Sequence, residues 1–114
     1  MTKYVQVLIT AGSKDEADRI ATAILEDRLA GCVQVIGPIT SRYWWEGKIE
    51  VAEEWLCLIK SHTDLYPQLE AKIRASHSYQ VPEVLCMPVE AGNQAYLDWL
   101  SGELRRADGA VGKP

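Results

Sequence analysis

Five side chains of the sequence are of the types that hold a small ligand: Trp45, Lys60, His77, Tyr79 and Glu83. They fall at the ends of predicted strands and in the segment before the last strand. A lysine, a carboxylate and aromatic rings in one cleft would bind a small anionic or amphipathic molecule. The alternative is structural: the two aromatic rings pack an interface, and Lys60 pairs with Glu83. The residues alone leave both explanations open.

Motifs of catalysis do not accompany these side chains. The sequence contains no Ser-His-Asp nucleophile elbow, no His-Glu-x-x-His run and no phosphate-binding glycine loop, so we predict that the protein is not an enzyme. Lysine and arginine number 12 against 16 aspartates and glutamates, and the net charge of −4 argues against nucleic-acid binding. A chain of 114 residues that is 47% apolar is sufficient for one folded domain.

The three cysteines, Cys32, Cys57 and Cys86, each lie within an apolar run. An odd number at such wide spacing argues against a disulfide framework and against a zinc site. We expect all three to be buried and reduced. A strand pattern begins within the first residues, so we expect no signal peptide. No apolar run approaches the roughly 18 residues that a membrane span needs. The expected location is the cytoplasm, with no membrane partner.

Alternating apolar residues predict a strand over Tyr4–Thr10, and a helical apolar stripe begins near Lys14. Ser13 and Glu16 have the spacing of a capping box at the start of that helix. Gly31 is the expected left-handed residue that ends it.

Residues 32–45 and 48–60 have strand composition, and Glu46-Gly47 between them predicts a hairpin turn. Gly37-Pro38 interrupts the first arm, and since proline cannot donate to a central ladder we expect a bulge or an edge there. A second helix is predicted from Thr63 or Asp64, with Pro67 in its first turn.

A fourth strand is predicted over Val84–Val89, and a short helix after Gly92-Asn93. The order βαββαβ, with one further helix, predicts an α+β ferredoxin-like fold: a four-stranded antiparallel sheet with the first two helices on one face. We expect one domain over residues 1–106 and a flexible tail over 107–114.

The first arm of the hairpin is too long for a compact monomer. Its 14 residues would extend roughly 46 Å, against a diameter of about 34 Å for a domain of this size. Its tip carries Tyr43, Trp44 and Trp45 in succession, which would leave apolar rings on an exposed edge. We therefore expect these three residues to lie in an interface with another subunit.

Several short motifs carry a family resemblance: Ala30-Gly31-Cys32, the Ser-x-Tyr-x-Trp run at Ser41, Tyr43 and Trp45, Glu46-Gly47-Lys48, Lys60, and the Tyr-x-x-Pro-Glu run at Tyr79, Pro82 and Glu83. Together they resemble the CutA divalent-cation-tolerance family over about residues 4 to 104. The resemblance implies a ferredoxin-like protomer similar to the PII signalling proteins. It also implies a homotrimer in which long hairpins pair with neighbouring subunits.

The same resemblance implies a role in tolerance of copper and other divalent metal ions. Some bacterial members are credited with copper ligands at a cysteine late in the first strand and at a His-His pair before the Tyr-x-x-Pro-Glu run. Here Ile9 and Ser76 occupy two of those positions, and His77 occupies the third. His77 is therefore the one candidate metal residue of the chain, with weak copper binding expected, and the alternative is that His77 is a surface or hydrogen-bonded loop residue. The alternative is a PII-like regulatory module that binds a small molecule or a protein partner at an intersubunit cleft.

Overall fold

A computed structural model of the chain describes residues 3–106, which form four strands and three α-helices. In chain order these are β1 (Tyr4–Ala11), α1 (Lys14–Glu26), β2 (Cys32–Trp45), β3 (Lys48–His62), a 3-10 turn (Thr63–Leu65), α2 (Tyr66–Ser76), β4 (Val84–Pro88) and α3 (Gln94–Glu103). The strands form one antiparallel sheet in the order β2-β3-β1-β4. This confirms the predicted ferredoxin-like fold, while the predicted tail, 107–114, lies outside the described residues.

The hydrophobic core lies between one face of the sheet and the helices α1 and α2. Val5, Val7 and Ile9 alternate along β1 and are buried beneath Ile20 and Ile73 of the two helices. Each fully buried side chain of this kind contributes roughly 1.5–3 kcal/mol through its removal from water. Among residues 3–106, no helix is long and apolar enough to span a bilayer.

Helix α1 begins as predicted but ends earlier than Gly31. The Ser13 side chain accepts a hydrogen bond from the Glu16 N–H at 3.1 Å. At the other end Arg28, with φ 57°, is the left-handed residue, and the Leu29 N–H donates to the Ile24 carbonyl at 3.0 Å. The prediction for Gly31 was therefore wrong, because an arginine in place of glycine closes the helix. Two hydrogen bonds from the Arg28 guanidinium to Glu103 hold it there.

Strands β2 and β3 extend well past the rest of the sheet. The pairing of β1 with β3 runs from Tyr4 opposite His62 to Ala11 opposite Trp55. Beyond that point, residues 39–45 of β2 pair with residues 48–54 of β3 as a two-stranded ribbon. The ribbon ends in a turn at Glu46 and Gly47, with φ 51° and 83°. The molecule is 49 Å long and only 26 by 21 Å across, which confirms the predicted overhang.

The predicted interruption at Gly37-Pro38 is a bulge in the edge strand. Ile36 lies opposite Leu56, but Ile39 lies opposite Glu54, so β2 carries one residue more than β3 over this stretch. Gly37 also lies against the Trp55 indole, since a Cβ at this position would clash with the ring. The bulge therefore joins the ribbon to the main sheet and accommodates a large aromatic ring.

The second half of the chain differs from the prediction only in its element boundaries. A 3-10 turn occupies Thr63–Leu65, and α2 begins at Tyr66 with Pro67 in its first turn. Helix α3 is capped by Asn93, whose side chain accepts a hydrogen bond from the Ala95 N–H at 3.0 Å. Its Ser101 hydroxyl lies 2.9 Å from the Tyr4 hydroxyl, which holds α3 at the end of the sheet opposite the ribbon.

The cysteines do not share one environment. Cys57 is buried, Cys32 is half-buried and Cys86 is exposed, so the expectation of three buried thiols was wrong for Cys86. The reason is its position on β4, a short edge strand whose side chains the helices cover incompletely.

Native-state thiol labelling should separate Cys57 from Cys86. Burial, followed by the charge of Asp18, raises the pKa of Cys57 to about 11, so roughly one thiol in a thousand is ionised at pH 8. We expect Cys86 to react with a soluble maleimide well before Cys57, as read by mass spectrometry of labelled peptides. Unfolding in guanidinium should equalise the rates. Fast native labelling of Cys57 would contradict the burial described.

Candidate functional site

The loop between α2 and β4 is fixed to the end of β1 by a buried histidine. The His77 side chain has no exposed surface, and its Nε2 lies 2.6 Å from the Thr10 carbonyl oxygen. Its Nδ1 accepts a hydrogen bond from the Tyr79 N–H at 3.1 Å. These two partners assign the Nε2-protonated neutral form, because the carbonyl needs a donor and the N–H needs an acceptor. Both nitrogens of the ring are thus in use.

Glu16 is the second anchor of the same loop. Its carboxylate accepts hydrogen bonds from the Ser78 N–H at 2.7 Å and from the Ser78 hydroxyl at 3.0 Å. Burial acts to raise the pKa of this carboxyl, but the hydrogen bonds from Ser78 and from the Gly12 N–H lower it below its ordinary value. Glu16 was predicted only as half of a capping box, and it turns out to tie α1 to a loop 62 residues away.

Tyr79 extends from this loop to the ribbon. Its hydroxyl donates to Glu54 Oε2 at 2.9 Å, and burial followed by this carboxylate raises the Tyr79 pKa. The ring passes so close to the chain after β1 that a Cβ on Gly12 would lie 3.0 Å from its hydroxyl oxygen. Gly12 therefore leaves the space through which Tyr79 reaches Glu54.

A cavity of about 580 Å³ opens between the ribbon and the loop. Its lining comprises Thr10, Ser41, Arg42, Tyr43, Trp45, Glu54, Tyr79, Gln80, Val81 and Glu83. Ser41, Tyr43 and Trp45 alternate along β2 and share the face of Ile39, which lies opposite Glu54. One wall is therefore a face of the ribbon, and the other is the loop that His77 and Glu16 hold in place.

The charged residue types of this lining are Arg42, Glu54 and Glu83, which give it a formal net charge of −1. Glu54 is only 5% exposed. Within residues 3–106 neither Glu54 nor Glu83 has an ion-pair partner within 4.0 Å. The cavity thus combines aromatic walls with negative charge.

The structure brings together three of the five residues predicted to form a ligand cleft. Trp45, Tyr79 and Glu83 line the cavity, and His77 lies beneath it as a support for Tyr79. Lys60 does not join them, because it lies opposite Cys32 and its Nζ donates to Gln34 Oε1 at 2.8 Å. Lys48, near the tip, is 12 residues from Lys60 along the strand, a span of about 40 Å. The alternative ion pair between Lys60 and Glu83 is not formed either.

The residues at the positions expected for copper ligands do not fit a copper site. Ile9 is fully buried in the core, and the Ser76 carbonyl accepts a hydrogen bond from Arg19. His77 could offer a nitrogen to a metal only by giving up Thr10 or Tyr79. Across the part of the chain that the structure describes, no three His, Cys, Asp or Glu side chains are grouped as metal ligands.

Arg42, Glu54 and Glu16 are site residues that the sequence reasoning missed. One signal for Glu54 was available: Glu53 and Glu54 are adjacent in a strand, so one of the two must face the side that Leu56 and Leu58 occupy. Glu16 gave no such signal, since its spacing from Ser13 already had a local explanation.

This site belongs to a ferredoxin-like domain with an extended hairpin and a cavity at the base of that hairpin. Residues 5–103 match the family described as "CutA1 divalent ion tolerance protein". The chain therefore belongs to the CutA1 family.

Individual relatives agree with this assignment. The divalent-cation tolerance protein CutA of Thermus thermophilus is 44% identical over 94 residues, which cover 82% of this chain and 91% of the relative. Protein CutA of Homo sapiens is 46% identical over 92 residues, 81% of this chain and 51% of that longer protein. The crystal structure of CutA1 from Oryza sativa superposes with a TM-score of 0.90 at 37% identity, over 92% of this chain and 96% of that one.

Replacing Glu16 should make the protein less sensitive to acid. A carboxyl whose pKa is lowered on folding stabilises the fold above its unfolded pKa of about 4.3, and this contribution disappears as pH falls through the folded value. We expect Glu16→Gln to lose about 1–3 kcal/mol at pH 7 and to show a smaller loss of stability between pH 5 and pH 3 than the parent protein. Urea unfolding across that range measures both. Asp15→Asn is the matched control, and equal acid profiles for parent and Glu16→Gln would contradict the assignment.

Proposed function

We propose that the protein acts as a non-catalytic homotrimer in the tolerance of divalent metal ions, copper among them. Membership of the CutA1 family is the observation that carries this proposal, because the family's description and the names of several relatives state this tolerance. Cytoplasm remains the location predicted from the sequence, whereas the Oryza sativa relative is named chloroplastic and the Archaeoglobus fulgidus relative is described as periplasmic.

The ribbon supports an oligomer. A two-stranded hairpin is marginal in water unless a third strand or another surface covers it. Here Trp44 is 72% exposed, and Ile49 and Val51 are each 59% exposed. Tyr43 and Trp45 are exposed as well, as the interface prediction requires. A second subunit that covers these side chains would remove a large apolar surface from water.

A second surface that sequence reasoning did not identify supports the same proposal. Leu8, Leu58 and Leu85 lie opposite one another on the sheet face turned away from α1 and α2. Leu85 is 52% exposed, and Met87 and Ile36 on the same face are exposed as well. Three copies that meet over this face would bury it, so ribbon and sheet face together favour an extensive assembly.

Weak metal contact is the form of copper binding that the chain's residues support. A tight copper site requires two or more histidine or thiolate ligands on one ion. Because two hydrogen bonds hold both nitrogens of His77, the groups left to contact a copper ion are exposed carboxylates and the exposed Cys86 on the surface.

The cavity favours a second candidate function, a PII-like regulatory module that binds a small molecule. Its volume of about 580 Å³ lies within the range of ligand sites, and its lining mixes aromatic rings with a few polar groups. This candidate needs no metal and would operate in the same trimer.

Light scattering should give three times the 12.7 kDa mass of the chain at micromolar concentration. We expect Trp44→Asp to dissociate or unfold the protein, because it would bury a charge in an interface of roughly 2,000 Å² or more. Glu46→Asp at the same turn is the control and should remain trimeric. A mass of one chain for the unmodified protein would refute the trimer.

Copper titration by calorimetry should give a dissociation constant no tighter than about micromolar. We expect His77→Ala to lower thermal stability through the lost bonds to Thr10 and Tyr79, and to change copper affinity less than threefold. His62→Ala is the matched control. Nanomolar binding that disappears in His77→Ala would contradict the proposal.

A growth experiment tests the cellular role. A strain that lacks this protein should grow poorly on copper, and growth should recover with the parent gene but not with Trp44→Asp.

A further inference from the structure

Glu54 is a nearly buried carboxylate whose charge has no partner of opposite sign. It is 5% exposed, and the Tyr79 hydroxyl occupies its Oε2 at 2.9 Å. Among residues 3–106, no lysine, arginine or histidine nitrogen lies within 4.0 Å of it. A buried charge is costly unless a counter-charge or several hydrogen bonds compensate for it, and one hydroxyl compensates only in part.

The cavity is the direction from which a counter-charge can reach Glu54. Glu54 lines it together with Glu83, against a single cationic group, Arg42. Tyr43 and Trp45, 42% and 44% exposed in the single chain, provide aromatic surface along the same wall, and in the proposed trimer a neighbouring subunit would close the open side of the cavity. A carboxylate attracts an ammonium or guanidinium N–H, and an aromatic face attracts a cation within about 6 Å. The carboxylates and the aromatic rings of the cavity therefore both favour a positively charged ligand.

We propose that this cavity binds a small organic cation, an ammonium or guanidinium group carried on an apolar or aromatic body. The cation donates a hydrogen bond to Glu54, and its body lies against Tyr43 and Trp45. This inference deepens the second candidate function and does not depend on the role in metal tolerance. It also reverses the ligand charge expected from the sequence, since Lys60, which favoured an anion, lies at the far end of β3.

The site is pre-organised for such a ligand. Tyr79 is held by the hydrogen bond from its own N–H to His77, by its ring contact with His77 at a centroid distance of 4.7 Å, and by its hydroxyl bond to Glu54. The carboxylate orientation is therefore set before a ligand arrives, which lowers the ordering cost of binding. A divalent metal suits the cavity less well, because the described residues group no three acidic, histidine or cysteine ligands there.

Three probes of similar size and different charge test the ligand class. We would titrate the intact oligomer with phenethylamine, 2-phenylethanol and 3-phenylpropionate by calorimetry at pH 7.5. We expect measurable binding of phenethylamine and at least tenfold weaker binding of the neutral and anionic probes. Glu54→Gln should lose roughly tenfold or more in phenethylamine affinity while keeping an oxygen for the Tyr79 hydroxyl.

Glu53→Gln is the matched control, because it removes the same charge from the neighbouring residue, which does not line the cavity. It should bind phenethylamine as the parent does. Melting curves and light scattering of both variants separate loss of binding from loss of fold or assembly, and copper growth assays test metal tolerance independently. The proposal fails if all three probes bind equally, if Glu53→Gln and Glu54→Gln lose affinity equally, or if manganese or copper binds with Glu54 dependence while phenethylamine does not. It fails also if no probe binds an intact trimer, the result expected if a neighbouring subunit's side chain already fills the cavity.

Discussion

Strand β1 ends at Ala11, opposite Trp55, while its neighbour β3 continues toward the hairpin tip. The two strands have 8 and 15 residues, and most features of the molecule follow from that difference in length. Where β1 stops, β3 loses a pairing partner and the ribbon begins. The space that β1 leaves beside β3 is taken by Tyr79 from the far loop, whose hydroxyl meets Glu54. The cavity is the remainder of that space, and the exposed ribbon is the surface that another subunit would cover.

Buried polar contacts, rather than apolar packing, determine where the loop after α2 lies. Glu16 takes both hydrogen bonds of Ser78, and His77 links the Thr10 carbonyl to the Tyr79 N–H. In a low-dielectric setting such bonds are directional, and leaving any one unmade is costly. A loop held by apolar contacts alone could shift along the surface that it contacts, because apolar contacts are not directional. This one is fixed at successive residues and therefore places Tyr79 within hydrogen-bond distance of a carboxylate on another strand.

The fold was predictable because the spacing of apolar residues indicates the buried face within each strand and helix. Val5, Val7 and Ile9 alternate along β1, which indicates the buried face of the strand. The apolar stripe through Ile20 indicates the buried face of α1 in the same way. The site was predictable only in part. Trp45, Tyr79 and Glu83 were expected in one cleft and all three line one cavity, whereas Lys60 lies farther along β3, because residue type alone does not report a position along a strand. The link from Glu16 to Ser78 was out of reach, since no local pattern reports a contact between residues so far apart in sequence.

The bulge at Gly37-Pro38 has an effect on the whole ribbon. Before it, the odd-numbered residues Val33 and Val35 lie on the helix-facing side of β2, opposite Ile59 and Cys57. The single extra residue reverses this parity, so that beyond the bulge the odd-numbered Tyr43 and Trp45 share the face of Glu54. Without the insertion, Trp44 would lie on that face, and Tyr43 and Trp45 would lie on the opposite one. One inserted residue therefore reverses which side chains of β2 face Glu54, and in this way it determines which residues form the ribbon wall of the cavity.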